Sequence, residues 1–149
     1  MGLATKGRYG VMAMVDLAKY SDGEPVALSD LAQRQCISLS YLEQLFQKLR
    51  RAILVKSVRR PGGGYLLSGD ACEMPITEVT GAVDEPMRAT RCAPGKPFGC
   101  MGGIEKFLTH DLWDELSDQI HLFLNSVTLY DVIEGRVRRD LKIIGGTAA

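Results

Sequence analysis

Between Ser29 and Leu67, two short helical patterns separated by a tight break run straight into a basic, glycine-rich hairpin, and this stretch constrains the fold more than any other. Ser29 is a suitable N-cap for a first helix that ends near Gln35. A break at Cys36–Leu39 precedes a second helix over about 40–52, in which Leu42, Leu45, Phe46, Leu49 and Ile53 recur at helical spacing. Two short helices joined by a tight turn make a helix–turn–helix. Val55-Lys56-Ser57-Val58-Arg59 then reads as a strand, Arg60-Pro61-Gly62-Gly63-Gly64 as a turn, and Tyr65-Leu66-Leu67 as a returning strand. A basic hairpin directly after a helix–turn–helix is a wing, and the pair is more specific than either part alone.

Around this centre the chain is mainly helical. Residues 6–20 carry Tyr9, Met12, Ala13 and Leu17 along one stripe, and Asp22-Gly23-Glu24-Pro25 ends that helix. Pro75 suits the start of a helix over about 75–83. Residues 86–103 hold three prolines, four glycines and two cysteines and read as loop. From about Glu105 to Ser126 runs the longest helical pattern. Leu108, Leu112, Leu116, Ile120, Phe123 and Val127 recur at three- and four-residue steps, with Trp113 and Leu124 widening the stripe. Residues 128–135 suggest a further short helix, and 145–149 a frayed end.

Composition narrows the class. With 46% hydrophobic and 24% charged residues over 149 positions, the chain is too apolar for disorder and long enough to bury a core. The net charge is zero, but residues 1–70 carry ten Lys/Arg against six Asp/Glu, and residues 71–149 eight against twelve. Lys48, Arg50, Arg51, Lys56, Arg59 and Arg60 cluster within 48–60 with no acid among them, as a phosphate-facing surface or a solvated basic face would. No apolar run is long enough to span a bilayer and no secretory signal opens the chain, so a cytoplasmic protein without a membrane partner is expected. Its cysteines (Cys36, Cys72, Cys92, Cys100) are then thiols or metal ligands rather than structural disulfides.

On the helix near 40–52, the face opposite the apolar stripe bears side chains suited to reading a duplex. Gln pairs with adenine and Glu accepts from cytosine in the major groove, while Lys and Arg fix position on phosphates. The candidate contacts to double-stranded DNA are Ser38, Ser40, Tyr41, Glu43, Gln44, Gln47, Lys48, Arg50 and Arg51, with Arg59, Arg60, Gly62, Gly63 and Gly64 in the wing. Glycines there let the backbone approach DNA, and an arginine suits a narrow minor groove. Ser40-Tyr41-Leu42-Glu43 also fits a capping box, which need not exclude base contact by Glu43. No nucleophile–base pair or phosphate-cradling motif points to an enzyme, and His121, inside the long helix, reads as an ordinary side chain.

These residues resemble the IscR-like family of iron–sulfur cluster transcription regulators (the Rrf-two family). The likeness rests on Thr5-Lys6-Gly7-Arg8-Tyr9, on Ile37 through Phe46, on Arg59 through Leu67, and on Ala82-Val83-Asp84-Glu85, Ala89-Thr90-Arg91-Cys92, Leu108-Thr109-His110 and Leu112-Trp113. It covers most of the chain. The wider family includes the nitric-oxide sensor NsrR and regulators of cysteine metabolism. The resemblance implies a homodimer on a roughly palindromic operator, with a long helix of each subunit crossing the other. The apolar seam through Leu112, Leu116, Ile120 and Phe123 fits that role, although packing within one subunit gives the same pattern.

The expected organisation is a winged helix–turn–helix over 1–70, a connecting helix and cysteine-bearing sensor loop over 71–104, a dimerisation region over 105–135 and a flexible tail over 136–149. In IscR-like proteins the sensor loop binds a 2Fe–2S cluster through three cysteines and a histidine. Cys92, Cys100 and His110 match three of those positions, but the third cysteine position is Phe107, and seven residues separate Cys92 from Cys100, a longer gap than usual. Three functions follow: a cluster-sensing repressor or activator, a regulator of the same fold using Cys92 and Cys100 as a thiol switch or not at all, and a zinc-stabilised interaction module on Cys92, Cys100 and His110.

Overall fold

The computed structural model describes residues 5–83 and 108–137. Its elements are α1 (Thr5–Tyr20), α2 (Leu28–Gln35), α3 (Leu39–Arg51), β1 (Val55–Val58), β2 (Gly64–Leu67), a 3₁₀ turn (Ala71–Glu73), α4 (Ile76–Val83), α5 (His110–Asn125) and α6 (Leu129–Ile133). The fold is mainly α with one antiparallel hairpin, in the register Val55↔Leu67 to Val58↔Gly64.

Several helix boundaries differ from the sequence expectation, each for a local reason. Helix α2 starts before Ser29, which lies exposed within it; the N-cap is Ala27, extended and without a side-chain cap. A bridge upstream explains this. Val26 and Tyr65 exchange backbone hydrogen bonds of 3.0 and 2.9 Å, holding the chain extended until residue 27. Helix α3 is capped by Ser38, whose hydroxyl accepts from the Tyr41 amide at 3.3 Å, so the expected Ser40–Glu43 capping box does not form. Met12, assigned to the apolar stripe of α1, is exposed. The buried face runs through Gly7, Gly10, Ala13, Met14 and Leu17 instead, because side-chain-free positions let α4 lie close, with Val83 against Gly10.

Both helices of the reader end in the same way. After α2, Cys36 takes a left-handed conformation (φ 52°) and the Ile37 amide returns to the Ala32 carbonyl. After α3, Ile53 does the same (φ 61°), with Leu54 returning to Leu49 and Ile53 to Arg50. These are Schellman endings, which usually carry glycine at the left-handed position. Ile53 is therefore not part of the apolar stripe: the reversal swings it outward, and it is 77% exposed.

One hydrophobic core joins the two halves of the chain. Met14, Leu17, Leu31, Leu42, Phe46 and Leu49 pack with Val79, Val83, Val127 and Leu129. Near residue 75 an isolated bridge to Thr128 ties α4 to the α5–α6 joint, with Ile76 donating to Val127 and Leu129 to Met74. Thr77 Oγ1 and Asn125 Oδ1 add a 2.9 Å contact, and a Thr128–Asp131 capping box starts α6. Helix α5 begins at His110 behind Thr109; positions 105–107 of the expected helix, the sensor loop and most of the expected tail lie outside the described residues.

Candidate nucleic-acid interface

Helix α3 divides cleanly by chemistry. Leu42, Leu45, Phe46 and Leu49 are buried, while Glu43, Gln44, Gln47, Arg50 and Arg51 are exposed, with Ser38 and Ser40 exposed at its start. Burial of one apolar stripe thus holds a polar face outward. Tyr41 is half-buried with its ring edge-on to Tyr9, centroids 5.7 Å apart. Lys48 has a partner within the chain: its Nζ donates to the Val83 carbonyl at 3.0 Å. Val83 is the last described residue of α4, so this contact ties α3 to α4.

The wing packs on the same helix. Tyr65 of β2 packs on Phe46 of α3, centroids 4.8 Å apart, which ties hairpin to helix. Lys56, Arg59 and Arg60 are exposed. Among the described residues no carboxylate lies within ion-pair distance of Arg50, Arg51, Lys56, Arg59 or Arg60. Of the wing glycines, Gly62 is exposed and supplies the left-handed turn (φ 77°), whereas Gly63 and Gly64 are half-buried. A Cβ on Gly64 would strike the Val26 carbonyl, so the chain itself requires glycine there, apart from any approach to DNA.

Sequence reasoning missed a polar cluster beneath the reader. Asp16 of α1 is buried and accepts from Arg34 Nε and Nη2 and from Gln35 Nε2. The hydrogen bond to Asp16 holds the Arg34 guanidinium above its ordinary range, and the same group lies 4.5 Å over the Tyr20 ring. The available signal was an acidic residue sitting between Ala13 and Leu17, on the buried side of an amphipathic helix.

Of the candidate sensor residues, His110 is the first residue of α5 and half-buried, whereas Cys92, Cys100 and Phe107 lie outside the described residues. Among the described residues no cluster of three His, Cys, Asp or Glu side chains could hold a metal ion. Cys36 and Cys72 are exposed free thiols. Desolvation, then the hydrogen bond and charge of Asp70, push the Cys72 thiol up, which makes it a poor thiolate source. Helix α5 buries only Ser117; Leu112, Trp113, Leu122 and Phe123 are exposed, and Leu116 and Ile120 half-buried. No helix among the described residues is long and apolar enough to cross a membrane.

Comparison with known proteins gives a consistent picture. Residues 3–135 match the Rrf2 family, described as iron-dependent transcriptional regulators. Over 136 residues the chain is 54% identical to the HTH-type transcriptional regulator IscR of Escherichia coli, covering 91% of this chain and 82% of that protein. Two solved structures superpose with a TM-score of 0.74. One, described as T. potens IscR, is 32% identical and covers 91% of this chain and 88% of its own. The other, CymR of B. subtilis, described as the global cysteine regulator, is 31% identical, with 91% and 98% covered.

Proposed function

The chain belongs to the Rrf2 family and is a DNA-binding transcriptional regulator, and from that premise we propose that it acts as a homodimer whose two winged heads read paired half-sites. The observation that carries this reading is the exposure of both the polar face of α3 and Arg59 and Arg60 of the wing, which pair with no carboxylate among the described residues. Glu43, Gln44 and Gln47 are the base-reading candidates; Arg50, Arg51 and the wing arginines supply phosphate and minor-groove contact. The exposed apolar side chains of α5 (Leu112, Trp113, Leu122 and Phe123) support a partner subunit, since several large apolar side chains exposed on one helix favour an interaction site. Like its relatives, the chain is a regulator and not an enzyme.

Footprinting on duplexes selected from a random library tests this: two protected half-sites are expected. Arg59→Ala should weaken operator binding at least about tenfold, the worth of one charge-assisted contact. Full binding by that variant in a mobility-shift assay would remove the wing from the interface.

The regulatory segment runs from Cys92 to His110. A 2Fe–2S cluster takes four protein ligands, and this chain offers Cys92, Cys100 and His110 at the family positions, with Phe107 at the fourth. A phenyl ring has no lone pair for iron, so the donor set does not fit a cluster held by those positions alone. A fourth ligand would have to come from Glu105, a partner subunit or a small molecule. The same absence favours a second reading, in which Cys92 and Cys100 act as a thiol pair without metal. Metal analysis after anaerobic purification separates the readings: iron with acid-labile sulfide, no metal, or zinc.

A further inference from the structure

We propose that Asp16 is a positioning residue for DNA recognition: with Arg34 and Gln35 it fixes the turn from which α3 departs, and so sets operator selectivity rather than stability alone. The proposal rests on α3 being the reading helix. Asp16 lies on α1, its carboxylate wholly buried. Both its oxygens are engaged, Oδ1 by Arg34 Nη2 at 2.6 Å and Nε at 3.2 Å, Oδ2 by Arg34 Nε at 3.0 Å and Gln35 Nε2 at 2.7 Å. Arg34 is also stacked over Tyr20, so its fork is held from both sides.

The two donors are the last residues of α2. Immediately beyond them come the left-handed Cys36, the buried Ile37 and the α3 cap Ser38. The clamp therefore grips the chain at the point where the direction of α3 is decided. A wholly buried carboxylate, even one paired with a partly exposed guanidinium, is a poor choice if stability is the only need, because apolar residues of similar volume often stabilise as well or better. What the pair supplies is direction. A bidentate guanidinium–carboxylate contact is satisfied over a narrow range of angles, whereas apolar packing is not directional. Hydrogen bonds to base edges tolerate little misalignment, while phosphate contacts made by flexible Lys and Arg side chains adapt.

The test compares wild type, Arg34→Lys and the apolar pair Asp16→Leu/Arg34→Met. Each is assayed for unfolding and for affinity to a duplex selected by the wild type and to a scrambled duplex of equal length, at several salt concentrations. Lysine keeps the charge but loses the fork and the stacking. The expected result is folded variants whose operator-to-scrambled ratio falls about tenfold or more, the size of losing one good base contact. Their affinity for scrambled DNA and its salt dependence should stay at wild-type values. If the apolar pair fails to fold, Arg34→Lys, altered at a partly exposed side chain, carries the same test. An unchanged ratio in a folded variant overturns the positioning role and leaves the clamp structural. A wild-type chain that selects no sequence overturns the DNA-reading assignment, and the proposal with it.

Discussion

Cys36 and Ile53 hold backbone conformations that L-residues adopt reluctantly, and both do so at helix ends where glycine is the usual occupant. Ile53 is the more costly case, because a β-branched side chain crowds the left-handed backbone and its exposed bulk gains little in return. Ile53→Gly should therefore raise stability by about 0.5–1 kcal/mol, the left-handed penalty less the extra entropy of glycine in the unfolded chain. Denaturant titration at constant m-value checks this; a loss of stability would mean that the Ile53 side chain packs against something. Cys36 is different, since it lies between the clamp residues and the α3 cap, where a change in backbone preference bears on DNA reading as well as stability. Arg34 and Asp16 show a similar doubling of roles, with one pair serving burial and orientation.

The cap of α3 is where sequence and structure differ most usefully. Ser38 and Ser40 are both plausible N-caps by type, and the pattern Ser40-x-x-Glu43 favours the later one. The tie to α2 decides otherwise: Ile37 is drawn into the core and α3 starts one turn-fraction earlier, at Leu39. Ser38→Ala should lose about 1 kcal/mol, while Ser40→Ala should stay within a few tenths. Equal losses in the two variants would return the cap to Ser40. The contrast also marks what was legible. Helices α1, α3 and α4, the hairpin and the position of the reader could be read from periodicity and turn chemistry, because local spacing controls them. The start of α2 could not, since a long-range bridge from Val26 to Tyr65 sets it, and neither could the Asp16 clamp, which joins residues far apart in sequence. Exposure of the α5 stripe was likewise open, because an apolar seam looks the same whether it faces its own core or a second subunit.

A second subunit would make those faces complete. Leu112 is 61% exposed and Phe123 is 48% exposed, so a carboxylate at either should leave the protomer folded. In a dimer packed through α5 the same charge would be buried unpaired in each copy, at about 3 kcal/mol or more, raising the dimer dissociation constant at least about a hundredfold. Leu112→Asp should then give a folded monomer by light scattering that no longer holds a two-half-site operator; a persistent dimer would remove α5 from the interface. Assembly bears directly on the sensor segment, because α5 opens at His110, the one family ligand position among the described residues. Position 107 precedes it by three residues, ahead of the Thr109 N-cap. A thiolate at 107 would supply the donor that phenylalanine cannot. Phe107→Cys should therefore raise iron, acid-labile sulfide and visible absorbance after anaerobic reconstitution, and Cys92→Ala or Cys100→Ala in that background should abolish them. If the wild-type chain already takes up a full complement of iron and sulfide, and Phe107→Cys adds none, a fourth ligand from another group completes the site. If neither protein takes up iron and Cys92 and Cys100 oxidise reversibly with a change in operator affinity, the segment is a thiol switch.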